Sequence, residues 1–532
     1  MIDSWIETIA SKIENDFIAR NKTDKIICAS GMTPAGPIHL GILRELIITN
    51  VITEELQSRG WDVEHIHFWD DFDHYCKYYE SIPRLFFDEY CGMPLCDVPD
   101  PFGEYKSYAI RYISEFEKIL VRIGIKPVFS YQSDEYRKGT YRKQIKQSLK
   151  ERFEIFKIIN RRSTIKMNKN YFPLQIYCKR CFKDFTTVIR YEEKYETVYY
   201  SCACGYLGKC NLDGEINYKL TWKVNWATRW HVHKIDFEPS GQNHFDKYGS
   251  VGISKRIIKD IFHCNGPLCL KYAFVGTSGQ YKISSRSGVF CTLKTAIELV
   301  EPNILRWLFI KYEPNVNIII DIEQGLDKIY NEWDLFVMNM LKTNSLNSDL
   351  IFLHSIKKYE PKIEHTIDII PFKMIKRIIL DNCCDLSKSI DAISSKFIFN
   401  TKDIERKLKP RIFCAYNWLD KYAPLTHRFS VRKTFNYHKY ESIADEHKIY
   451  FNELVSNLDD NWNLSALTNL IYSIPKKYCE NSISTKEIKK RQKDFFKSIY
   501  LMVCDRYNGP RIPKLFLMLG KAKVKKLLTY PG

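Results

Sequence analysis

The stretch from Lys25 to Trp69 leaves this chain few folds to choose from. KIICAS, Lys25 to Ser30, is a short apolar run of the kind that forms a buried strand. GMTPAGPIHLG follows, punctuated by glycine and proline. ILRELIITNVITEELQSRG then places apolar residues at helical spacing until Gly60. VEHIHFW supplies a second strand, and the chain leaves it through Asp70, Asp71 and Asp73. Strand, glycine-rich turn, helix, strand is a βαβ unit, whose right-handed crossover predicts a parallel sheet.

At 532 residues the chain is too long for one ordinary domain, and two to four are expected. The first part of the α/β domain occupies residues 1–170, with a mainly helical, basic stretch from about Ser107 to Arg162. Residues 171–218 change character: cysteines, β-branched residues and aromatics alternate in short runs, the mark of a small inserted subdomain. The α/β pattern resumes over 219–349. Residues 350–532 read as a separate all-helical domain, with charged faces and no low-complexity tract.

Lys plus Arg exceeds Asp plus Glu by 81 to 63, a formal net charge of +18. Such an excess suits a partner with a phosphate backbone, because each neutralised phosphate releases counterions. An AT-rich genome raises lysine equally well, so charge alone does not decide the partner. Met1 to Arg20 mixes acids and bases and lacks the pattern of a signal peptide, and no run approaches a membrane span. The 17 cysteines are scattered apart from one cluster, which fits a reducing cytoplasm.

Three places carry chemistry. In PAGPIHLG, Pro34 to Gly41, the glycines let a phosphate approach the backbone, and the following helix aims its positive end at it. His39 can donate to a phosphate oxygen as charge builds. KISSRSG, Lys282 to Gly288, joins a lysine, hydroxyls and an arginine in a loop suited to gripping a polyphosphate. Cys178 and Cys181 form a CxxC, and Cys202 and Cys204 a CxC. Four thiolates on two tight turns suit one tetrahedral Zn²⁺. CxC is shorter than the usual second knuckle, so Cys210 is an alternative fourth ligand to Cys204.

HLG followed in order by KISSR resembles the paired signatures of class I aminoacyl-tRNA synthetases, and further segments resemble the archaeal-type class I lysyl-tRNA synthetases. These are SGMTPAGPIHLGILREL, DDFD at Asp70 to Asp73, GMPLCDVPDPFGEYKSYA from Gly92, TWKVNWATRW at Thr221 to Trp230, EPSGQNH at Glu238 to His244, and GPRIPKLFLMLG near the C-terminus. The resemblance implies a Rossmann-type catalytic domain, a zinc-ribbon-like insertion and an α-helical anticodon-binding domain. It implies that L-lysine attacks the ATP α-phosphate with Mg²⁺ present, and that the lysyl-adenylate then acylates the 3′-terminal ribose of tRNA(Lys). It assigns catalysis to His39, Lys282 and Arg286. The ATP site would comprise Pro34, Gly36, His39, Gly41, Lys282, Ser284 and Ser285. The lysine pocket would comprise Gly31, Thr33, Trp222, His244 and Tyr272.

The chain departs from the family at several of these places. Ile42 ends the first signature where a polar residue is usual, and Ser287 replaces the loop's last lysine, with Arg286 one residue away. Asn225 and Asn243 stand at acidic positions, Gln242 at a lysine, and Ala273 where an acid is common. An amide in place of a carboxylate removes charge while keeping shape. The alternative function is therefore an impaired paralogue that binds tRNA or nucleotide without aminoacylation. A second family metal site would fall at Glu104, Tyr105 and Arg111, residues that do not form a metal-ligand set here, so it is expected to be empty. Trp418, Tyr422 and Phe429 are candidate base-stacking aromatics. Sequence does not specify the oligomeric state, with a monomer slightly favoured.

Overall fold

Strand β1, Ile26–Met32, is buried along most of its length and runs parallel to β2, Val63–Trp69, in unbroken register from Ile26↔Val63 to Met32↔Trp69. Both strands are covered on both faces, so burial does not alternate along them, and β2 buries even His65 and His67. The computed structural model describes residues 4–160, 170–246, 249–277, 292–345, 348–356, 369–382, 384–397, 408–423, 431–460, 462–479 and 484–531. Strand β3 is Val128–Tyr131 and pairs with β2.

After β3 the chain forms the small antiparallel elements β4 (Leu174–Ile176), β5 (Thr186–Glu192), β6 (Thr197–Cys202), β7 (Leu207–Asn211) and β8 (Tyr218–Leu220). β5, β6 and β7 make one sheet, and β4 pairs with β8 beneath it. The main sheet then resumes with β9, Phe237–Gly241, and β10, Leu268–Tyr272. Its order is β10-β9-β1-β2-β3, parallel throughout, as the βαβ reading requires. Because β1 lies between β2 and β9, the connections leave the sheet on either side of β1. Ligands of open parallel sheets bind at such a switch point, beyond the carboxyl ends of the strands.

The helix Leu43–Ser58 joins β1 to β2 and is buried almost all round, including Arg44, Thr49, Thr53 and Glu55. A helix covered on every side belongs to a core rather than a surface. Its far end is tied down by His354, whose ring bonds Glu54 and Glu55 at 3.2 and 3.1 Å.

The described residues form two compact units. The first comprises Met1–Ile297, Pro302–Leu326 and Leu335–His365; the second comprises Glu298–Glu301, Asp327–Asp334 and Thr366–Gly532. The second unit is helical. One core there gathers Tyr450, Phe451, Leu467, Phe495, Ile499 and Phe516, among others. Arg411 is buried there and neutralised by Glu301 at 2.7 Å and Asp334 at 2.8 Å.

Candidate active site and metal centre

Gly31 sits near the end of β1, where its backbone N–H donates to Glu45 Oε1 at 2.9 Å. Tyr272, the last residue of β10, donates its hydroxyl to Glu45 Oε2 at 2.8 Å. The two predicted pocket residues thus meet through a glutamate that sequence reasoning did not single out. Glu45 is partly reached by solvent, yet burial pushes its pKa up to about 8. Its carboxylate is flanked by the Gly31 N–H and the Tyr272 hydroxyl, and no cation among the described residues forms an ion pair with it.

Gly31 is closely approached: an added Cβ would lie 3.2 Å from the carbonyl of Phe68, its partner in β2, and 3.8 Å from Arg229 Nη1. Arg229 is itself buried, bonded to Asp70 at 2.8 Å, with its guanidinium 5.0 Å from the Phe68 ring and 5.2 Å from the Trp222 ring. Trp222 stacks on Trp226 at 5.0 Å and keeps 38% of its surface exposed. Trp226 meets His244 edge-on at 5.7 Å and donates from its indole to Glu238 at 3.0 Å. Three tryptophans share one face of the helix Trp222–Val232 because they recur every fourth residue: Trp222, Trp226, Trp230. Trp230 also donates to Glu238.

Thr33 completes the ring by donating to Asp73 Oδ2 at 2.9 Å, and Asp73 also pairs with Lys219. Burial opposes ionisation of both Asp70 and Asp73. For Asp73 the Lys219 ammonium outweighs it and lowers the pKa; for Asp70 burial wins and the pKa is raised. Asp71 points elsewhere, into the Ser133 backbone N–H at 2.8 Å, and burial lifts it to about 6.

The turn from Pro34 to Gly41 is shaped by contact rather than by flexibility. A Cβ at Gly36 would stand 2.1 Å from the Tyr79 ring, and one at Gly41 would stand 3.1 Å from His39 Nδ1. Pro34 and Gly36 are buried, and the Ala35 carbonyl accepts from Tyr108 at 3.0 Å. His39 lies just ahead of the short turn Leu40–Ile42 that opens the long helix, and it bridges to Thr292. Next to it, the Leu293 N–H donates to the Ile38 carbonyl at 3.2 Å. On the other side, Val275 Cβ would be 3.7 Å from a Cβ on Gly41. Residues on both sides of KISSRSG in the sequence therefore flank the His39 turn. Lys282, Ser284, Ser285, Arg286 and Ser287 themselves lie outside the described residues.

Arg44, also unremarked in the sequence, fixes one of those flanks. It is fully buried and donates to the carbonyls of Ala273 (2.6 Å), Phe274 (3.3 Å), Glu313 (3.3 Å) and Val316 (2.7 Å). Burial lowers its pKa to about 10. Ala273 is a backbone position in this clamp, its N–H donating to the Pro314 carbonyl at 2.8 Å. Among the other departures, Asn225 Oδ1 accepts from the Tyr136 hydroxyl at 2.6 Å while its Nδ2 is buried without a partner. Gln242 and Asn243 form, with His244, a single turn after β9, and Ile42 donates its N–H to the His39 carbonyl.

The sulfurs of Cys178, Cys181, Cys202 and Cys204 all lie within 4.8 Å of one another, with Cys178–Cys204 at 3.8 Å and Cys181–Cys202 at 3.6 Å. A tetrahedron with Zn–S of about 2.3 Å has edges of about 3.8 Å, so the four thiols fit zinc. Cys210 is outside the group: its thiol donates to Asn217 Oδ1 at 3.2 Å. At the other segment considered for metal, Arg111 occupies the centre. It donates to Asp100 at 2.6 and 2.9 Å and to Glu104 at 2.8 Å, between the rings of Phe102 and Tyr105.

Residues 3–358 match the family described as tRNA synthetases class I (K). Over 536 residues the chain is 30% identical to a lysine–tRNA ligase of Borrelia garinii, covering 99% of this chain and 98% of that protein. It is 29% identical to a lysine–tRNA ligase of Pyrococcus horikoshii and 28% identical to one of Streptomyces coelicolor, again over 98–99% of each chain. With the family match spanning two thirds of its length, the chain belongs to the class I tRNA synthetases of the lysine type.

Proposed function

We propose that this chain is a lysine–tRNA ligase that activates L-lysine with ATP and transfers it to the terminal ribose of a lysine tRNA. The observation that carries the lysine assignment is Glu45. Its carboxylate stands between the Gly31 N–H and the Tyr272 hydroxyl, with no cation among the described residues paired to it. A buried carboxylate without a counter-charge is costly, and a substrate ammonium supplies the missing charge. The Trp222–Trp226 stack offers an apolar wall for a four-carbon stem and a π face for the cation. Thr33 and His244 would meet the substrate's α-amino and carboxylate groups.

The chemistry needs no covalent nucleophile from the protein. The lysine carboxylate attacks the ATP α-phosphorus, pyrophosphate departs, and the tRNA ribose hydroxyl then attacks the adenylate carbonyl. The protein's part is positioning and charge stabilisation. His39 would donate to an α-phosphate oxygen, while Pro34, Gly36 and Gly41 let the nucleotide lie against the backbone. Lys282, Ser284, Ser285 and Arg286 would hold the departing pyrophosphate of the Mg²⁺-bound nucleotide. Zinc on Cys178, Cys181, Cys202 and Cys204 would be structural, cross-linking the two knuckles of the inserted subdomain.

Lysine-dependent ATP–pyrophosphate exchange, with and without tRNA and with other amino acids as controls, tests the reading. Exchange restricted to lysine supports it. No exchange from folded protein that still binds tRNA would favour the impaired paralogue.

A further inference from the structure

Glu238, buried in β9, holds two tryptophans with one side chain. Trp226 donates its indole N–H to Oε1 at 3.0 Å, and Trp230 donates to Oε2. The two indoles stand one helical turn apart, with 5.0 Å between ring centres. An indole nitrogen is a donor only, so both carboxyl oxygens must accept. Glu238 is therefore the carboxylate: a protonated acid would turn its O–H against one indole N–H. Burial pushes its pKa up, and Arg229 and the two indole donors oppose that rise.

Trp226 in turn supports two residues of the proposed lysine pocket. Its ring stacks on Trp222 with 22° between planes and meets His244 edge-on at 5.7 Å. His244 belongs to the turn that directly follows β9, so one short stretch of chain carries both the carboxylate that orients Trp226 and the imidazole that meets its ring. The charged and titratable groups facing Glu238 are Arg229, Asp70, Glu45, Tyr272 and Cys269. Its negative charge adds to the burial that raises the pKa of Glu45. Glu238 thus acts on the ring behind the Trp222 wall and on the carboxylate assigned to the substrate ammonium, without itself being offered to solvent.

We propose that Glu238 is a positioning residue for lysine: its carboxylate locks the Trp226 and Trp230 indoles and so sets Trp222 and His244 for the amino-acid stem. This rests on the lysine-binding reading above. Lysine binding to the full-length protein is measured by calorimetry at pH 9, where Glu45 is ionised in every variant, with thermal unfolding and ATP KM in pyrophosphate exchange alongside. Glu238→Gln keeps one acceptor and turns an amide N–H towards the other indole. It should bind lysine about tenfold more weakly, the worth of one charged hydrogen bond, with ATP KM unchanged. Trp230→Phe removes the indole that the amide would oppose, so Trp230→Phe/Glu238→Gln should bind lysine as tightly as Trp230→Phe alone. Glu238→Gln also removes a charge beside Glu45, so the pH above which lysine affinity levels off should fall below the parent's value of about 8. Trp230→Phe takes away one anchor and keeps that charge; it should weaken lysine binding and leave the levelling pH in place. Unchanged lysine affinity in folded Glu238→Gln, or an equal cost of that substitution in the Trp230→Phe background, overturns the proposal. A levelling pH that does not move in Glu238→Gln makes the group uncharged and overturns it as well. A parent that binds lysine but catalyses no exchange sinks the ligase reading alone, and weakened binding by Glu238→Gln then still supports the positioning role. A parent that does not bind lysine sinks both.

Discussion

Glu45→Gln isolates the charge held between Gly31 and Tyr272. The substitution keeps the shape that accepts the Gly31 N–H and removes the negative charge that would meet a substrate ammonium. Removing one partner of a buried ion pair costs about 3–5 kcal/mol. Glu45 is partly reached by solvent, so about 2–3 kcal/mol is the reasoned value, a rise in lysine KM of about 30- to 150-fold. The pH dependence follows from the same group. In the free enzyme burial holds its pKa at about 8, so at neutral pH most molecules carry it protonated. Binding the ammonium requires the carboxylate, and the proton must leave. Lysine affinity should then rise about tenfold per pH unit between pH 6 and 8 and level off above. The assay is lysine KM in aminoacylation across pH 6–9, parent against variant. A variant with the parent's pH slope, or an unchanged KM, would refute the assignment.

Four further outcomes follow from the same structure. Glu45 also lowers stability: its folded pKa exceeds the unfolded carboxylate value, so stability falls as pH rises from about 4.5 to 8, and Glu45→Gln without lysine should melt above the parent at pH 8.5. His39→Ala should cut adenylate formation at least tenfold with tRNA affinity unchanged; equal activity removes His39 from the mechanism. Cys178→Ser and Cys204→Ser should lower metal content and melting temperature together, while Cys210→Ser should leave metal content alone. Arg44→Met should destabilise the fold by about 3 kcal/mol in urea unfolding, because four carbonyls lose a charged donor in the interior; a change under 1 kcal/mol would dismiss the clamp.

What could be read from the sequence was local. The βαβ unit followed from an apolar run, a glycine-rich turn and a helical repeat, all within 45 residues, and the sheet is parallel as that unit demands. The cysteine cluster was readable because metal knuckles are short-range, yet the choice between Cys204 and Cys210 depended on which way a strand turns its side chains. β7 aims Cys210 at Asn217, a pairing that spacing cannot express.

The site was decided by contacts between distant parts of the chain. Arg229 meets Asp70 across 159 positions, Lys219 meets Asp73 across 146, and Tyr272 meets Glu45 across 227. Glu45 and Arg44 lie on a face of the helix Leu43–Ser58 that its apolar repeat does not mark as buried. Only the sheet and the segments folded over it bury that face, and burial is what turns an ordinary glutamate into a carboxylate with a pKa near 8 and an ordinary arginine into a clamp on four carbonyls. Sequence thus determined the frame, the order of the signatures and the cysteine cluster. The tertiary structure decided which charges lose their water, and desolvation is a property of the whole packed fold rather than of any segment.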